Sequence, residues 1–223
     1  MDSKLFVQAI LKFFSGLLFV ILLLFLPAGS FSYWQAWLLI GILFIPMFLA
    51  GLVMMKKSPD LLRKRLNVKE EEKEQKTVIA LSALMFIAVF VVAGFNFRYR
   101  WIVLPAWVSY VAAAIFLLAY MLYAEVLREN VWLSRTVEVQ ENQKVIDTGL
   151  YGIVRHPMYM STLLLFLSMP FVLGSIISFG ILLLYIPIIA RRIRNEEQVL
   201  EKGLQGYTEY KKKVRYKVIP FIW

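Results

Sequence analysis

The sequence contains no cysteine and a single histidine, His156. The first absence excludes disulfides and cysteine-ligated metals, and the second excludes any multi-histidine metal centre. Charge is also missing, in long blocks. No Asp, Glu, Lys or Arg occurs from Phe13 to Met55, Thr77 to Phe97, Leu104 to Ala124 or Pro157 to Ala190. Alternating ten-residue segments of the kind that build membrane barrels are absent. So are internal repeats and low-complexity tracts. Acidic residues number 15 against 25 basic ones, which leaves a formal charge of +10.

What remains is apolar. Hydrophobic residues make up 60% of the 223, with a mean hydropathy of +0.68; an ordinary soluble domain has about 45–50%. A bilayer core needs about 20 apolar residues per helix. The first block holds two spans, divided at Pro27-Ala28-Gly29-Ser30. The last divides at Pro170 and Gly174-Ser175, which leaves two short spans, either thin or a hairpin leaning on its neighbours. The blocks predict an all-α, polytopic integral membrane protein with six helices at 6–26, 35–55, 77–97, 103–125, 158–173 and 176–192. Residues 1–127 form the N-terminal membrane part and 128–223 a C-terminal region with a small cytoplasmic cofactor pocket. The first helix is read as retained, not as a signal peptide: its apolar run is too long, and a second span follows at once.

The positive charge is topological rather than a sign of nucleic-acid binding. Lys4 and Lys12 precede the first helix, eight basic residues lie in 56–76, four in 128–155 and nine from Arg191 onward. Only Arg98 and Arg100 fall on the other side. The positive-inside bias puts the rich side, with both termini, in the cytoplasm. Trp34, Trp37, Trp101 and Trp107 sit near span ends, as an aromatic belt requires.

Three charged segments connect the spans. Ser58-Pro59-Asp60 starts a short helix with Leu61, Leu62 and Leu66 on one face. It reads as an interfacial helix, or as a lid over a membrane-facing site. Thr136–Gln140 and Lys144–Ile146 are extended, and Glu141-Asn142 between them suggests a hairpin. Asp147-Thr148-Gly149-Leu150-Tyr151-Gly152 is turn chemistry leading to Arg155-His156-Pro157, with proline at a helix's first position. The sixth helix continues through Arg191–Leu200 and ends at Gly203, and a short basic helix starts at Tyr207.

Tyr151, Arg155, His156, Tyr159, Arg192, Glu196 and Glu197 would meet where the turn before the fifth helix approaches the extension of the sixth. Taken singly, each has an ordinary reading. His156 is structural, the glutamates a solvated face, the arginines membrane anchors and Tyr159 an interfacial aromatic. Together they describe a pocket without naming its ligand.

The run Gly149-Leu-Tyr-Gly-Ile-Val-Arg-His-Pro-Met-Tyr159 resembles the signature of the isoprenylcysteine carboxyl methyltransferase family. That family is a branch of the membrane methyltransferases that also include phospholipid N-methyltransferases. Arg192-Ile-Arg-Asn-Glu-Glu-Gln-Val-Leu200 and Gly206-Tyr-Thr-Glu-Tyr210 are similar to its second element, and Val214–Trp223 resembles the ending of its prokaryotic members. Over 132–223 the resemblance is strong; before that only Ser58–Leu62 matches. It implies an enzyme of a prokaryotic cell membrane that binds S-adenosylmethionine through Gln140, Gln143, Lys144, Val145, Ile146, Tyr151, His156, Pro157, Met158, Tyr159 and Glu196. Arg192 would hold the acceptor's carboxylate. Arg155, beside a helix N-terminus, suits the cofactor's own carboxylate. No metal, nucleic acid or obligate protein partner is implied.

A carboxylate acceptor is already ionised at pH 7 and needs no base. An amine acceptor must lose a proton, which would make Glu197 a base. A lipophilic acceptor would enter from the bilayer and the cofactor from the cytoplasm. Three alternatives stand beside carboxyl methylation: lipid-amine N-methylation, an NADPH-dependent sterol-reductase-like activity with Arg191 and Arg194 on the 2′-phosphate, and a non-catalytic membrane protein.

Overall fold

A computed structural model describes residues 3–66, 73–134 and 137–223. It is helical, with no strand among the described residues. The helices are α1 (Ser3–Ala28), α2 (Trp34–Lys57), α3 (Pro59–Leu66), α4 (Lys73–Tyr99), α5 (Ala106–Glu129), α6 (Pro157–Val172), α7 (Ile176–Leu182), α8 (Tyr185–Gly203) and α9 (Tyr207–Lys213). Five stretches are long and apolar enough to cross a membrane: α1, α2, α4, α5 and the continuous run Ile176–Gly203. Large apolar side chains such as Leu11, Leu26, Ile45, Leu84, Leu118 and Met121 face outward, as lipid-facing positions do. The core gathers Leu24, Leu39, Val89, Phe116, Leu173, Leu182 and Ile189 from six helices. This is the polytopic helical membrane protein expected from composition.

Of the six expected spans, the fifth is short. α6 has 16 residues, about 24 Å at 1.5 Å per residue, against about 30 Å of hydrocarbon. It nonetheless reaches the far side, because the turn Leu173-Gly174-Ser175 is bonded to the far ends of its neighbours. The Tyr33 hydroxyl, just before α2, donates to Leu173 O at 2.6 Å. Asn96, near the end of α4, donates to Gly174 O at 3.3 Å. Ser109, in the first turn of α5, donates to Phe171 O at 3.2 Å. Carbonyls that a short helix would leave bare in lipid are thus satisfied by protein. The hairpin leans on its neighbours.

The expected single helix 176–192 is instead two pieces. Pro187 has no N–H to offer Leu183 O, four residues back. That carbonyl accepts from Ile186 N at 3.1 Å, and the chain turns at Leu183-Leu184 before α8 begins. The extended hairpin expected around Glu141-Asn142 keeps only its turn. Asn142 has φ 58° and Gln143 N donates to Gln140 O at 3.1 Å. Val139 and Val145 pack against a small cluster with Leu204, Tyr207, Tyr210 and Val214 instead of pairing as strands. Thr136, where the first expected strand begins, and 67–72, in the loop after α3, lie outside the described residues.

Between α1 and α4 the backbones nearly touch. A Cβ on Gly94 would lie 2.7 Å from Leu24 O and 3.1 Å from Ala28 N. Small residues at such a crossing let membrane helices approach. Gly94→Ala should therefore lower the detergent-solubilised protein's stability by about 1–3 kcal/mol through overpacking. Gly41→Ala, with nothing within 4 Å, should leave it unchanged or raise it. Thermal unfolding of the two variants tests the contact; equal melting temperatures would refute it.

Candidate functional site

The site lies at the basic end of the bundle, and the chain enters it through a tight turn. Gly149 has φ +53°, and a Cβ there would run into the Glu129 carboxyl. That carboxylate instead accepts from Leu150 N at 3.1 Å and 3.3 Å. The 3-10 turn Gly149–Gly152 then buries Tyr151. Asn130 Nδ2 donates to the Tyr151 hydroxyl, and the Tyr210 hydroxyl to Tyr151 O, each at 2.8 Å. Burial pushes both phenols up, so they stay protonated at any ordinary pH.

Arg155 and His156 follow, pinned by the C-terminal segment. Their backbone N–H groups donate to Tyr216 O at 2.9 Å and Lys217 O at 2.8 Å. The Arg155 side chain, 4% exposed, donates to Glu197 Oε1 at 2.8 Å and to Val214 O and Arg215 O at 2.7 Å and 2.8 Å. His156 Nε2 lies 3.2 Å from the same Glu197 oxygen, and Lys217 Nζ lies 3.3 Å from its other one. Glu197 is therefore a buried carboxylate held between two cations, Arg155 and Lys217, and the imidazole of His156.

Four residues per step along α8 separates two faces. Ile189, Ile193 and Glu197 point into the core. Arg192, Glu196 and Leu200 line an open cleft. Across it stands Tyr159 of α6. Arg192 Nε donates to the Tyr159 hydroxyl at 2.9 Å, and that hydroxyl donates to Glu196 Oε2. His156 Nδ1 is 3.9 Å from Glu196 Oε1, so the imidazole stands between the two glutamates.

Of the residues proposed from sequence, Gln143, Lys144, Val145, Ile146, Tyr151, Arg155, His156, Met158, Tyr159, Arg192 and Glu196 line this one cleft. Three sit apart. Pro157 is the buried first residue of α6. Gln140 shapes the wall: its Nε2 donates to Trp132 O at 2.6 Å and its N–H to Gln143 Oε1 at 2.8 Å. Glu197, considered as a base, is turned away from the cleft and held by Arg155, His156 and Lys217. Sequence reasoning left out Asn130, Trp132, Val137, Leu204, Tyr207 and Tyr210, which also line the cleft. The spacing Tyr207 to Tyr210, one helical turn on a basic helix, was the available signal for the last two.

α3 meets the same end of the bundle. Leu62 is buried, Lys12 Nζ donates to Leu66 O at 2.6 Å, and the Arg65 guanidinium lies 5.4 Å from the centre of the Tyr123 ring. The helix is thus fastened to α1 and α5.

The donor set suits a polar, zwitterionic cofactor. Among the lining residues, Glu196 could take a cationic or diol group, Lys144 an anionic one, and the tyrosines and aliphatic side chains a flat ring. The hydroxyl of one lining residue, Tyr207, is buried with no hydrogen-bond partner among the described residues.

Residues 104–205 match the phospholipid methyltransferase family model. Over 91 residues the chain is also 30% identical to the Delta(14)-sterol reductase TM7SF2 of Mus musculus. That stretch covers 40% of this chain and 22% of the reductase.

The buried pair gives a stability prediction. Arg155→Ala leaves Glu197 short of its nearest cation and should cost about 3–5 kcal/mol. Arg192→Ala, on the cleft face, should cost far less. Unfolding of both variants in detergent checks this, and equal losses would contradict the structural role given to Arg155.

Proposed function

We propose that this protein is a membrane methyltransferase that uses S-adenosylmethionine to methylate the carboxylate of a lipophilic acceptor. The observation that carries the reading is the hydrogen-bond chain from Arg192 through Tyr159 to Glu196. Arg192 follows the apolar run that ends at Ala190. Glu196 lies one turn further out, about 6 Å along the helix. An acceptor arriving from the bilayer meets Arg192 first, while a cofactor arriving from the basic, cytoplasmic side meets Glu196.

When bound, S-adenosylmethionine supplies an electrophilic methyl group on a sulfonium. The chain's own residues do the rest. Glu196 binds a cationic or hydroxyl-bearing part of the cofactor, and Lys144 faces its carboxylate. Gln143, Val145 and Ile146 form the wall beside it. Arg192 orients the acceptor's carboxylate with paired N–H donors. Tyr159 holds the guanidinium at Nε and so sets its plane. Proximity and exclusion of water carry the rate, since no proton need move.

An amine acceptor is the second reading, in keeping with the family model's name. It fits less well, because Glu197, the residue that would serve as base, is already held by Arg155, His156 and Lys217 outside the cleft. Similarity to part of a sterol reductase raises hydride chemistry as a third. Arg191 and Arg194, which a 2′-phosphate would use, line a separate hollow with Asn195 and Gln198, so this reading is also weaker.

Purified protein given methyl-labelled S-adenosylmethionine and membrane lipid extract should yield labelled lipid that mild base releases. Base-stable label would turn the reading to N-methylation, and NADPH oxidation without methyl transfer would overturn it. Arg192→Ala should lower kcat/KM by about 10²–10³, the size of losing one charge-stabilising donor, with cofactor affinity little changed. Glu196→Ala should weaken cofactor binding. Equal loss of cofactor affinity in both variants would sink the division of roles.

A further inference from the structure

α8 has a third face, used neither by the core nor by the cleft. Ile189, Ile193 and Glu197 look inward, and Arg192, Glu196 and Leu200 line the cleft. At spacings of three and four residues, Leu184, Pro187, Arg191, Arg194 and Gln198 form an outer stripe. Its chemistry changes once along its length. Leu184, just before α8, is 60% exposed, and Pro187 is exposed too, as side chains lying against acyl chains are. From Arg191 the stripe is polar. Arg191, Arg194, Asn195 and Gln198 line a hollow of about 340 Å³, at the lower end of the volumes that hold small ligands. The change falls where the charge-free run ends, at Ala190. Arg191 and Gln198 lie about 10 Å apart along the helix axis, and a headgroup layer is about 5–8 Å deep on each side of a bilayer. The hollow therefore sits at the level of lipid headgroups.

We infer that this outer face of α8 is a binding site for an anionic phospholipid, with the phosphodiester between Arg191 and Arg194 and the acyl chains along Leu184 and Pro187. Arginine suits the role, because its fork meets two phosphate oxygens at once. The Gln198 amide, one turn beyond Arg194, can donate to a further headgroup oxygen. None of the four residues lining the hollow is acidic, and Glu196 and Glu197 belong to the cleft and core faces. A headgroup that carries an ammonium would bring a third cation to a place with no acid to receive it. An anionic headgroup such as that of phosphatidylglycerol is therefore favoured over phosphatidylcholine. The site is separate from the cleft, so it does not depend on which reaction the cleft carries out.

The test uses the full-length protein in a non-ionic detergent, with phosphatidylglycerol and phosphatidylcholine titrated in mixed micelles and bound lipid counted by native mass spectrometry. Wild type should retain phosphatidylglycerol in preference to phosphatidylcholine. Arg194→Gln should lower phosphatidylglycerol affinity about fivefold, and Arg191→Gln combined with Arg194→Gln about 25-fold, the effect expected of one and two arginines at a lipid surface. The control is Lys56→Gln combined with Lys57→Gln. It removes the same charge at the end of α2, where both lysines are exposed just past another apolar run. That variant should bind phosphatidylglycerol like wild type. Equal losses in the two double variants would mean a diffuse attraction to the basic end of the bundle and would overturn the site. Equal retention of both lipids by wild type would overturn it as well. Inorganic phosphate in equal amount should not displace the lipid, and displacement would assign the hollow to a free anion instead. Arg191 and Arg194 are both exposed, so their variants should melt at the wild-type temperature. If the double variant fails to fold, Arg194→Gln alone decides: binding like wild type would refute the site.

Discussion

Glu197 is the constraint on which the rest of the site depends. Its carboxylate is 3% exposed, and a charge so placed needs compensation close at hand. Compensation comes from two places in sequence: Arg155 and His156 before α6, and Lys217 in the closing segment. One buried acid therefore ties α8, the mouth of α6 and the C-terminus into a fixed arrangement. Breaking any of the three strands of this knot leaves a charge in the protein interior. An apolar trio could fill the same space, but it would not set the angle at which Arg155 and His156 enter the cleft.

That fixed angle is what separates the two neighbouring glutamates. Glu196 and Glu197 are adjacent in sequence and point about 100° apart on the helix. One becomes scaffold and the other faces the cleft. Tyr159 shows the same economy on α6. Its ring packs in the core beside Leu163, while its hydroxyl joins Arg192 to Glu196. At the far end of the bundle, Tyr33, Asn96 and Ser109 hold the hairpin turn, so α6 is fastened at both ends and cannot slide relative to α8.

Much of this was legible in the sequence. The charge-free blocks mark the membrane helices because lipid tolerates no unpaired charge, and a proline and a glycine mark where α6 starts and its hairpin turns. The residues from Gly149 to Tyr159 and Arg192 to Glu197 were grouped before any geometry, and all but Pro157 and Glu197 of those proposed from them line the cleft. Other features were not legible. Periodicity on α8 gives the angle between Glu196 and Glu197 but not which of them faces inward, since that depends on what packs against the helix. The break at Leu183-Leu184 follows from Pro187, which the apolar run concealed. The alternation around Gln140 read as strands because the same pattern arises when valines cover a short helix.

The charge pattern and the buried ion cluster also explain why such a site is built at the edge of a membrane. A cleft deep in the hydrocarbon could not hold Arg192, Glu196 and His156 without large desolvation. A cleft fully in water could not receive a lipophilic tail without exposing it. By extending α8 from Ala190 outward, the chain carries one helix from lipid to water and hangs its ligand-facing groups along the transition. The arginine that suits an acceptor's head sits at the border, and the glutamate that suits a water-soluble cofactor sits one turn beyond. Tyr159, anchored in α6 at the same level, bridges the two with a single hydroxyl. On the proposed reading, two ligands that arrive from different phases would meet neighbouring residues of one helix, where the spacing between them is fixed by helical rise rather than by the closure of a domain.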